Sequence, residues 1–397
     1  MLCEERVLID HVNNLKLQYL VELSKLGDSC AGLERHLAEW LHDHDVVFGG
    51  STIPFVLMPH FISPGQLRRV RHSVDRLSRV LDRFCDAYPH DAALRDELAV
   101  SPEEDSLIRI EPGYPRPMRI CRLDAFLAGY AVKFLEFNAD SPAGIGYTDI
   151  LHEGLTTAID LPRVKQDFDT AYTPMLPELI ATLLEDLDQA DLVAAARDGR
   201  VCIVNPFRAR VANTKKLLAL FQDPRFAHLV EGDEAEVVAK TIPWTRILRP
   251  GRVSYGSWTI DLLPFVADNR ERLVLKPASS YGGHNVALGI ETPQERWEEI
   301  IAAHAERADF VAQEYVPVPE EMFPTIEDGH VQMRLKRFNI NPFGIGGRHA
   351  GSITRISDRA VINVSAGGGL LPSVIGRHKR RLLAEDEGEE EEVVHGS

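Results

Sequence analysis

The residues best suited to chemistry are four polar side chains in two pairs, and the members of each pair are two positions apart. Arg122 and Asp124 form the first pair, and Glu136 and Asn138 form the second. Carboxylate and amide oxygens are hard donors of the kind that bind Mg²⁺, which usually takes its remaining ligands from water and from a substrate's phosphates. If the four side chains meet, Asp124, Glu136 and Asn138 are candidate metal ligands and the group implies a bound nucleotide.

These residues lie in a predicted β-hairpin. Two apolar runs, 118–126 and 131–138, flank a short Leu-Ala-Gly-Tyr link. Side chains two apart share one face of a strand, so a hairpin symmetric about Tyr130 places the two carboxylates opposite each other and the arginine opposite the amide. The alternative is that the Glu-x-Asn pair is only the solvated face of an edge strand.

Two lysines are candidates for binding phosphate. Lys276 ends a predicted strand, and backbone amides of the small-residue loop behind it could close over phosphates. The candidate loop residues are Ser279, Gly282 and Gly283. This is not a Walker loop, because no Gly-Lys-Ser/Thr ends it, and a simple hairpin is the alternative. Lys215 lies in the first turn of a helix predicted over 213–223, where a lysine opposes the helix dipole and is expected to face an anion. Lys216 competes for this role.

Two later segments could join the same site. Gln313 and Tyr315 lie where a strand runs into a Val-Pro break, which could offer backbone groups to an adenine edge, although a core strand would look the same. Arg355 lies in a strand-like run between glycine pairs and could face a phosphoryl group.

Composition describes a sizeable acidic globular protein of 397 residues with a net charge of −16. A charge of this sign repels nucleic acid and anionic membranes, so neither is expected as a partner. The five cysteines are odd in number and lack Cys-x-x-Cys spacing, which indicates neither a disulfide framework nor a zinc ribbon and favours a cytoplasmic location. No signal peptide or membrane span is predicted.

The chain is predicted to have four parts. Residues 1–110 form a mostly helical region, in which Ser63 caps a helix with an arginine-rich face that nearby acids are expected to balance. Residues 111–200 hold the hairpin and the helices after it. Residues 201–376 hold the lysines, the glycine-rich loop and the adenine hinge. The charged tail, 377–397, is predicted to be disordered.

Six segments within residues 118–370 resemble the ATP-grasp ligases of the bacterial glutathione synthetase and glutathionylspermidine synthase type. The family's metal-binding positions resemble Asp124, Glu136 and Asn138. Its Asn-x-Lys helix, which carries the first ATP lysine, resembles the segment ending at Lys215, and its second lysine resembles Lys276. The Glu-x-Asn strand comes last in most of the family, whereas here it precedes both lysines, as in the circularly permuted branch.

The other matches complete the family's nucleotide site. The adenine hinge resembles the segment with Gln313 and Tyr315, and the phosphate-facing arginine resembles Arg355. The substrate loop, Asn-x-x-Ala-Gly-Gly, resembles a segment that includes Asn363, Gly367 and Gly368. Two features depart from the family: the separation of the two lysines is longer than expected, and no amidase domain accompanies the chain.

The resemblance implies an α+β, circularly permuted ATP-grasp fold in which two sheet-containing subdomains clasp ATP. The implied activity is Mg²⁺-dependent joining of a small carboxylate, such as an amino acid or a small peptide, to an amine through an acyl phosphate. Lys215, Lys276 and Arg355 would stabilise the transferring phosphoryl group, and Arg122 would orient the carboxylate. A carboxylate kinase and a non-catalytic nucleotide-binding protein are the alternatives, and assembly as a homodimer stays open.

Overall fold

The computed structural model describes residues 2–111, 116–189, 204–280, 283–362 and 367–379. Within them the chain is a mixed α+β protein built on an eight-stranded and a four-stranded sheet, called here the large sheet and the small sheet. None of the described helices combines the length and the apolar character needed to cross a bilayer.

The helices alternate with strands along most of the chain. In chain order the α-helices are α1 (Leu2–Ser24), α2 (Ser29–Asp43), α3 (Pro64–Ala87), α4 (Ala92–Leu98), α5 (Pro102–Ile108), α6 (Ile145–Ala158), α7 (Pro162–Asp167), α8 (Leu176–Gln189), α9 (Lys216–Leu220), α10 (Glu234–Thr241), α11 (Leu262–Asp268) and α12 (Gln294–His304). The described 3-10 helices are Phe207–Asn213, Pro224–Leu229 and Arg270–Arg272.

The strands fall into two sets on either side of residue 200. The first set is β1 (Val47–Phe48), β2 (Ser51–Thr52), β3 (His60–Ile62), β4 (Ile120–Ala128), β5 (Ala131–Asn138) and β6 (Phe168–Ala171). The second set is β7 (Thr245–Ile247), β8 (Arg252–Tyr255), β9 (Trp258–Asp261), β10 (Leu273–Pro277), β11 (Ala287–Leu288), β12 (Phe310–Glu314), β13 (Glu320–Glu327), β14 (His330–Ile345), β15 (Arg348–Ser357) and β16 (Gly369–His378).

The predicted hairpin is confirmed as β4 and β5, and both predicted cross-strand pairs are present, including Asp124 opposite Glu136. The predicted symmetry about Tyr130 is wrong. The turn has two residues, Gly129 and Tyr130, and Gly129 takes the left-handed backbone (φ +58°) that a tight hairpin turn requires. An irregularity in the ladder leaves Leu135 as an extra residue, and this bulge moves the register by one and restores the predicted pairing.

The large sheet has the strand order β3-β16-β15-β14-β4-β5, with β13 paired to β14 and β6 paired to β16. The hairpin therefore lies at one edge and the strand from the N-terminal region at the other, where β3 runs parallel to β16. On β15, Arg355 lies opposite Asn339 of β14, which in turn neighbours β4. Residues distant in sequence thus meet on one face of this sheet.

The small sheet has the strand order β11-β10-β12-β7. Lys276 at the end of β10 lies opposite Val311 of β12, and Val274 lies opposite Gln313. Trp297 of α12 is fully buried against this sheet, and its indole nitrogen donates to the Val266 carbonyl at 2.9 Å. This separate core holds β10 and β12 independently of the large sheet.

A second core presses the hairpin against helices from both halves of the chain. Leu123 and Phe134 are completely buried with residues of α3 and α9. Because side chains alternate along a strand, burying Leu123 directs its neighbours Arg122 and Asp124 to the other face. That face borders the candidate site.

The predicted helix start at Ser63 is confirmed as a capping box. The Gln66 amide donates to the Ser63 hydroxyl at 3.1 Å, and the Ser63 amide donates to the Gln66 side chain at 2.8 Å. Two of the six arginines of α3 pair with acids within the described residues: Arg76 pairs with Asp233 at 2.8 Å, and Arg83 pairs with Glu234.

Some predicted boundaries differ from the described elements. The helix predicted over 213–223 reduces to the five residues of α9, because a 3-10 helix occupies the segment before it. Strand β16 continues to His378, so it includes the first two residues of the predicted tail. The rest of the predicted tail, from residue 380, lies outside the described residues.

Candidate functional site

A cleft of about 320 Å³ lies between the large and the small sheet. We call it the inter-sheet cleft. Its lining includes most of the residues that the sequence singled out: Arg122, Asp124, Glu136, Asn138, Lys215, Lys276, Gly283, Gln313, Tyr315 and Arg355. Small-molecule sites commonly enclose ~300–1,000 Å³, so the cleft can hold a ligand of modest size.

On the large-sheet wall, Asp124 is held by two arginines. Arg122 Nε donates to Asp124 Oδ1 at 2.8 Å, and an Arg355 Nη2 hydrogen bond reaches Oδ2 from a strand 231 residues away in sequence. Burial by itself would raise the pKa of Asp124, but the charges of Arg122 and Arg355 outweigh it and hold the pKa well below its usual value. Asp124 is therefore ionised throughout the physiological pH range.

Two asparagines that the sequence analysis missed complete the Arg355 environment. Arg355 Nη2 donates to Asn341 Oδ1 at 2.7 Å, and Arg355 Nε donates to Asn339 Oδ1 at 3.3 Å. Asn341 is fully buried and donates in turn to Asn339 Oδ1 at 3.0 Å. The signal was an Asn-x-Asn pair on one strand face, the same type of spacing as Glu136-x-Asn138.

On the small-sheet wall, Lys276 is paired with a side-chain amide, and within the described residues no carboxylate forms an ion pair with it. Its Nζ donates to Gln313 Oε1 at 2.7 Å, and Gln313 Nε2 donates to the Thr245 hydroxyl at 3.0 Å. Burial lowers the pKa of Lys276 to about 8, although the charge of Glu136 opposes this shift. A desolvated ammonium with a neutral partner gains more from an approaching anion than an exposed lysine does.

The side chains of the two neighbouring lysines point in different directions. Lys215 Nζ lies 3.2 Å from Glu136 Oε2 and donates to the Ser280 carbonyl at 3.1 Å, so this lysine borders the cleft. Lys216 points away and donates to the carbonyl of Glu97 at 2.9 Å. Lys215 therefore bridges the hairpin and the glycine-rich loop.

The glycine-rich loop contributes Gly283 to the cleft. Gly283 has a left-handed backbone (φ +72°), and a Cβ built there would lie 2.2 Å from Val361 Cγ1, so a side chain at this position would collide. Ser279 is exposed and does not line the cleft, whereas the buried Ser280 hydroxyl has no hydrogen-bond partner among the described residues. Gly282 lies outside the described residues.

The predicted adenine hinge lines the cleft, but two of its backbone amides already donate hydrogen bonds within the protein. The Glu314 amide donates to the Trp244 carbonyl and the Tyr315 amide donates to the Arg272 carbonyl, both at 2.8 Å. Gln313 contributes its side chain to Lys276, which differs from the predicted backbone role.

The predicted substrate loop is only partly described. Gly367 and Gly368 do not line the inter-sheet cleft, and Asn363 lies outside the described residues. Val361 and Ile362, directly before the loop, do line the cleft and were not predicted.

The predicted metal ligands lie together and have suitable chemistry. Among the described residues no group of three or more His, Cys, Asp or Glu could hold a metal, and the oxygen donors at this part of the cleft include the two carboxylates and the Asn138 amide. Asn138 Nδ2 is buried and has no partner among the described residues; this N–H donor would suit an anion such as phosphate, and Asn138 Oδ1 is the atom that could bind a cation. Each carboxylate carries about four lone pairs, so Asp124 and Glu136 can keep their present partners and still accept a cation. The donor set fits Mg²⁺.

No family model matches this chain, and no curated protein matches it. Among solved structures it is similar to a glutathione synthetase-like effector (GSS30) from Globodera pallida in its apo form, with a TM-score of 0.51 and 12% sequence identity. The match covers 86% of this chain and 96% of that chain. At this identity the likeness concerns the fold alone. The mixed α+β chain thus has an overall fold similar to a glutathione synthetase-like protein.

Proposed function

We propose that the inter-sheet cleft binds ATP with Mg²⁺ and that the protein is an ADP-producing carboxylate-amine ligase of the permuted ATP-grasp type. The observation that carries this proposal is that negatively and positively charged side chains line the same cleft. Asp124 and Glu136 approach from the large sheet, and Lys276 approaches from the small sheet. Phosphates bound as a metal complex need acidic side chains to bind the metal and basic side chains to bind the phosphate oxygens.

The ligand groups can be assigned from the chemistry of each wall. Asp124, Glu136 and Asn138 would hold Mg²⁺, which when bound would neutralise phosphate charge. Lys215 and Lys276 would bind phosphate oxygens. The apolar wall of the cleft suits an adenine ring, and it consists of Val274, Val286, Leu288, Val316 and Val318.

Arg355 and Arg122 would serve the reacting groups. Arg355 is anchored by Asp124 and Asn341, so its guanidinium is already oriented and loses little conformational entropy when a phosphoryl oxygen arrives. Arg122 donates to the Ala143 carbonyl at 2.9 Å and is oriented in the same way. It would bind the carboxylate substrate and then the acyl phosphate made from it. The amine attacks the acyl carbon and phosphate leaves, so no protein nucleophile is needed.

The proposal is tested by ADP release in a screen of amino acids, small peptides and polyamines supplied with ATP and Mg²⁺. We expect ADP to form only when a matching acid and amine are both present, and Lys276→Met to abolish it. ADP formation with the acid alone would indicate the carboxylate kinase, and tight nucleotide binding without turnover across the screen would indicate a non-catalytic protein. Either result would overturn the ligase proposal.

A further inference from the structure

A second cleft, larger than the inter-sheet cleft, lies along β7, the edge strand of the small sheet. Its volume is about 480 Å³, and its walls come from α9 and the residues after it, from β7, and from the turn into β8. We call it the arginine cleft because four arginines line it: Arg225, Arg246, Arg249 and Arg252. None of them belongs to a motif in the sequence or to the proposed ligase site.

Two of these arginines are neutralised by acids. Buried Glu97 accepts from Arg225 at 2.6 Å and from Arg249 at 2.9 Å, and Arg225 also pairs with Asp223 at 2.6 Å. Burial would raise the pKa of Glu97, but hydrogen bonds from Arg249 and Arg225 outweigh it and lower the pKa. This half of the cleft is a closed ion-pair network.

Arg246 has only neutral partners in the described part of the chain. Arg246 Nη1 donates to the Thr245 carbonyl at 2.7 Å and to Gln222 Oε1 at 3.3 Å, and Nη2 donates to the Ser254 carbonyl at 3.0 Å and the Ser254 hydroxyl at 3.2 Å. The guanidinium also lies over the Trp244 ring, 5.1 Å from its centroid. Burial lowers the pKa of Arg246 although the more distant charge of Asp223 opposes the shift. A partly buried cation without a bonded carboxylate gains strongly from an anion.

Arg252 is the second cation without an acid. It is exposed on β8, two residues before Ser254, so the two share a strand face about 7 Å apart. Since Ser254 receives the Arg246 hydrogen bond, Arg246 and Arg252 border the same end of the cleft. Its cross-strand neighbour Asp261 forms no ion pair with it within the described structure.

The lining of the cleft also includes the apolar side chains of Leu220, Ile247 and Leu262. We propose that the arginine cleft binds a small organic dianion, either a phosphate monoester or a dicarboxylate on a compact apolar body, through Arg246 and Arg252. The exposed guanidinium of Arg252 can bind either anion in a bidentate fashion, Arg246 adds a partly buried positive charge beside it, and the apolar side chains accommodate the body. This site is separate from the proposed ligase chemistry and does not depend on it.

The test uses two aromatic dianions, phenyl phosphate and phthalate, with benzyl alcohol as a neutral control, titrated into the full-length protein by calorimetry. We expect one of the dianions to bind saturably and benzyl alcohol not to bind, and the dianion that binds distinguishes the phosphate from the carboxylate source. In the double variant Arg246→Gln/Arg252→Gln we expect affinity to fall at least about tenfold, which corresponds to one lost charge-assisted contact.

Three further variants distinguish binding in the arginine cleft from binding to surface charge or to the inter-sheet cleft. Arg252→Gln alone alters an exposed side chain and should weaken binding severalfold without affecting folding. Arg296→Gln/Arg307→Gln removes the same charge from two exposed arginines elsewhere and should leave affinity unchanged. Lys276→Met should also retain binding. The proposal is overturned if neither dianion binds, if the arginine-cleft variants bind like wild type, or if only Lys276→Met loses binding.

Discussion

The inter-sheet cleft and the arginine cleft both concentrate charge, but they balance it differently. In the first, Asp124 is bonded to two arginines and Glu136 to Lys215, so each acid already has a cation. In the second, Arg246 and Arg252 have no acid bonded to them within the described residues. A metal ion alone would meet carboxylates whose charge arginine and lysine already balance, and phosphate alone would meet cations that acids partly balance, whereas a metal–nucleotide complex brings both charges at once. We therefore expect ATP and Mg²⁺ to bind there together, and a lone anion to suffice in the arginine cleft.

The largest effect on turnover is expected from a change at Glu136. The change Glu136→Gln keeps the shape but removes one charge from the cation-binding wall, and we expect turnover to fall by ~10²-fold or more, as for loss of a single transition-state stabiliser. Steady-state ADP formation measures this. Turnover within about threefold of wild type would mean that Glu136 is only the face of an edge strand.

A smaller effect is expected where Arg355 is positioned. Asn341→Leu removes the buried acceptor while keeping the volume, so Arg355 loses one anchor and we expect kcat to fall by about tenfold. Because Asn341 does not line the cleft, KM for ATP should change little. A rise in KM with unchanged kcat would instead indicate that Asn341 shapes the nucleotide pocket, and equal losses in kcat and thermal stability would indicate a structural role.

The pH dependence of nucleotide binding tests the role of Lys276 on the small-sheet wall. Lys276 has a pKa of about 8 in the folded protein against an ordinary value of 10.5, and phosphate prefers its charged form. Affinity for ATP with Mg²⁺ should be constant below pH 8 and fall as pH rises through 8. The stability of the ligand-free protein depends on pH in the opposite direction. Between pH 8 and 10.5 the unfolded chain binds more protons than the folded chain, so the contribution of Lys276 to folding stability rises with pH.

Lys276→Met supplies the control for that titration. The variant should bind ATP weakly at all pH values, with a flat profile across the pKa of Lys276. Its melting temperature without ligand should be close to wild type, because removing a desolvated ammonium offsets the cost of leaving Gln313 Oε1 unpaired. Early melting of the ligand-free variant would show that Lys276 is a structural lysine.

The smallest effect on turnover is expected from a change at Glu97. Its substitution by glutamine is the control for the same substitution at Glu136. Glu97→Gln weakens the ion pairs of the arginine cleft, and we expect unfolding free energy to drop by about 1–3 kcal/mol with unchanged turnover. The same chemical change thus affects activity in one cleft and stability in the other. The Glu97 pairs are present above the ordinary carboxyl pKa and are lost as pH falls through the lowered pKa, so the stability difference between wild type and variant should shrink in acid. Chemical denaturation at several pH values measures this.

Local features were predictable from the sequence, and contacts between distant strands were not. Alternation along β4 and β5 predicted the Asp124–Glu136 pair correctly. The predicted centre of the turn was wrong and the bulge was not predicted, but these two errors shift the register in opposite directions and cancel. The Asn341 contact with Arg355 depends on the neighbouring strand, which no local pattern specifies. The arginine cleft draws on segments that contain no motif, so only the folded chain brings Arg246 and Arg252 to one wall.

The proposed ligase chemistry depends most directly on which phosphorus of ATP is attacked. Hydroxylamine can replace the amine in the substrate screen and trap the activated carboxylate as a hydroxamate, while the nucleotide product is identified by chromatography. The placement of Lys215, Lys276 and Arg355 around one charge set predicts ADP, orthophosphate and a hydroxamate in equal amounts, and loss of all three in Lys276→Met. AMP and pyrophosphate would contradict this mechanism, because they would mean that the cleft activates the carboxylate as an adenylate.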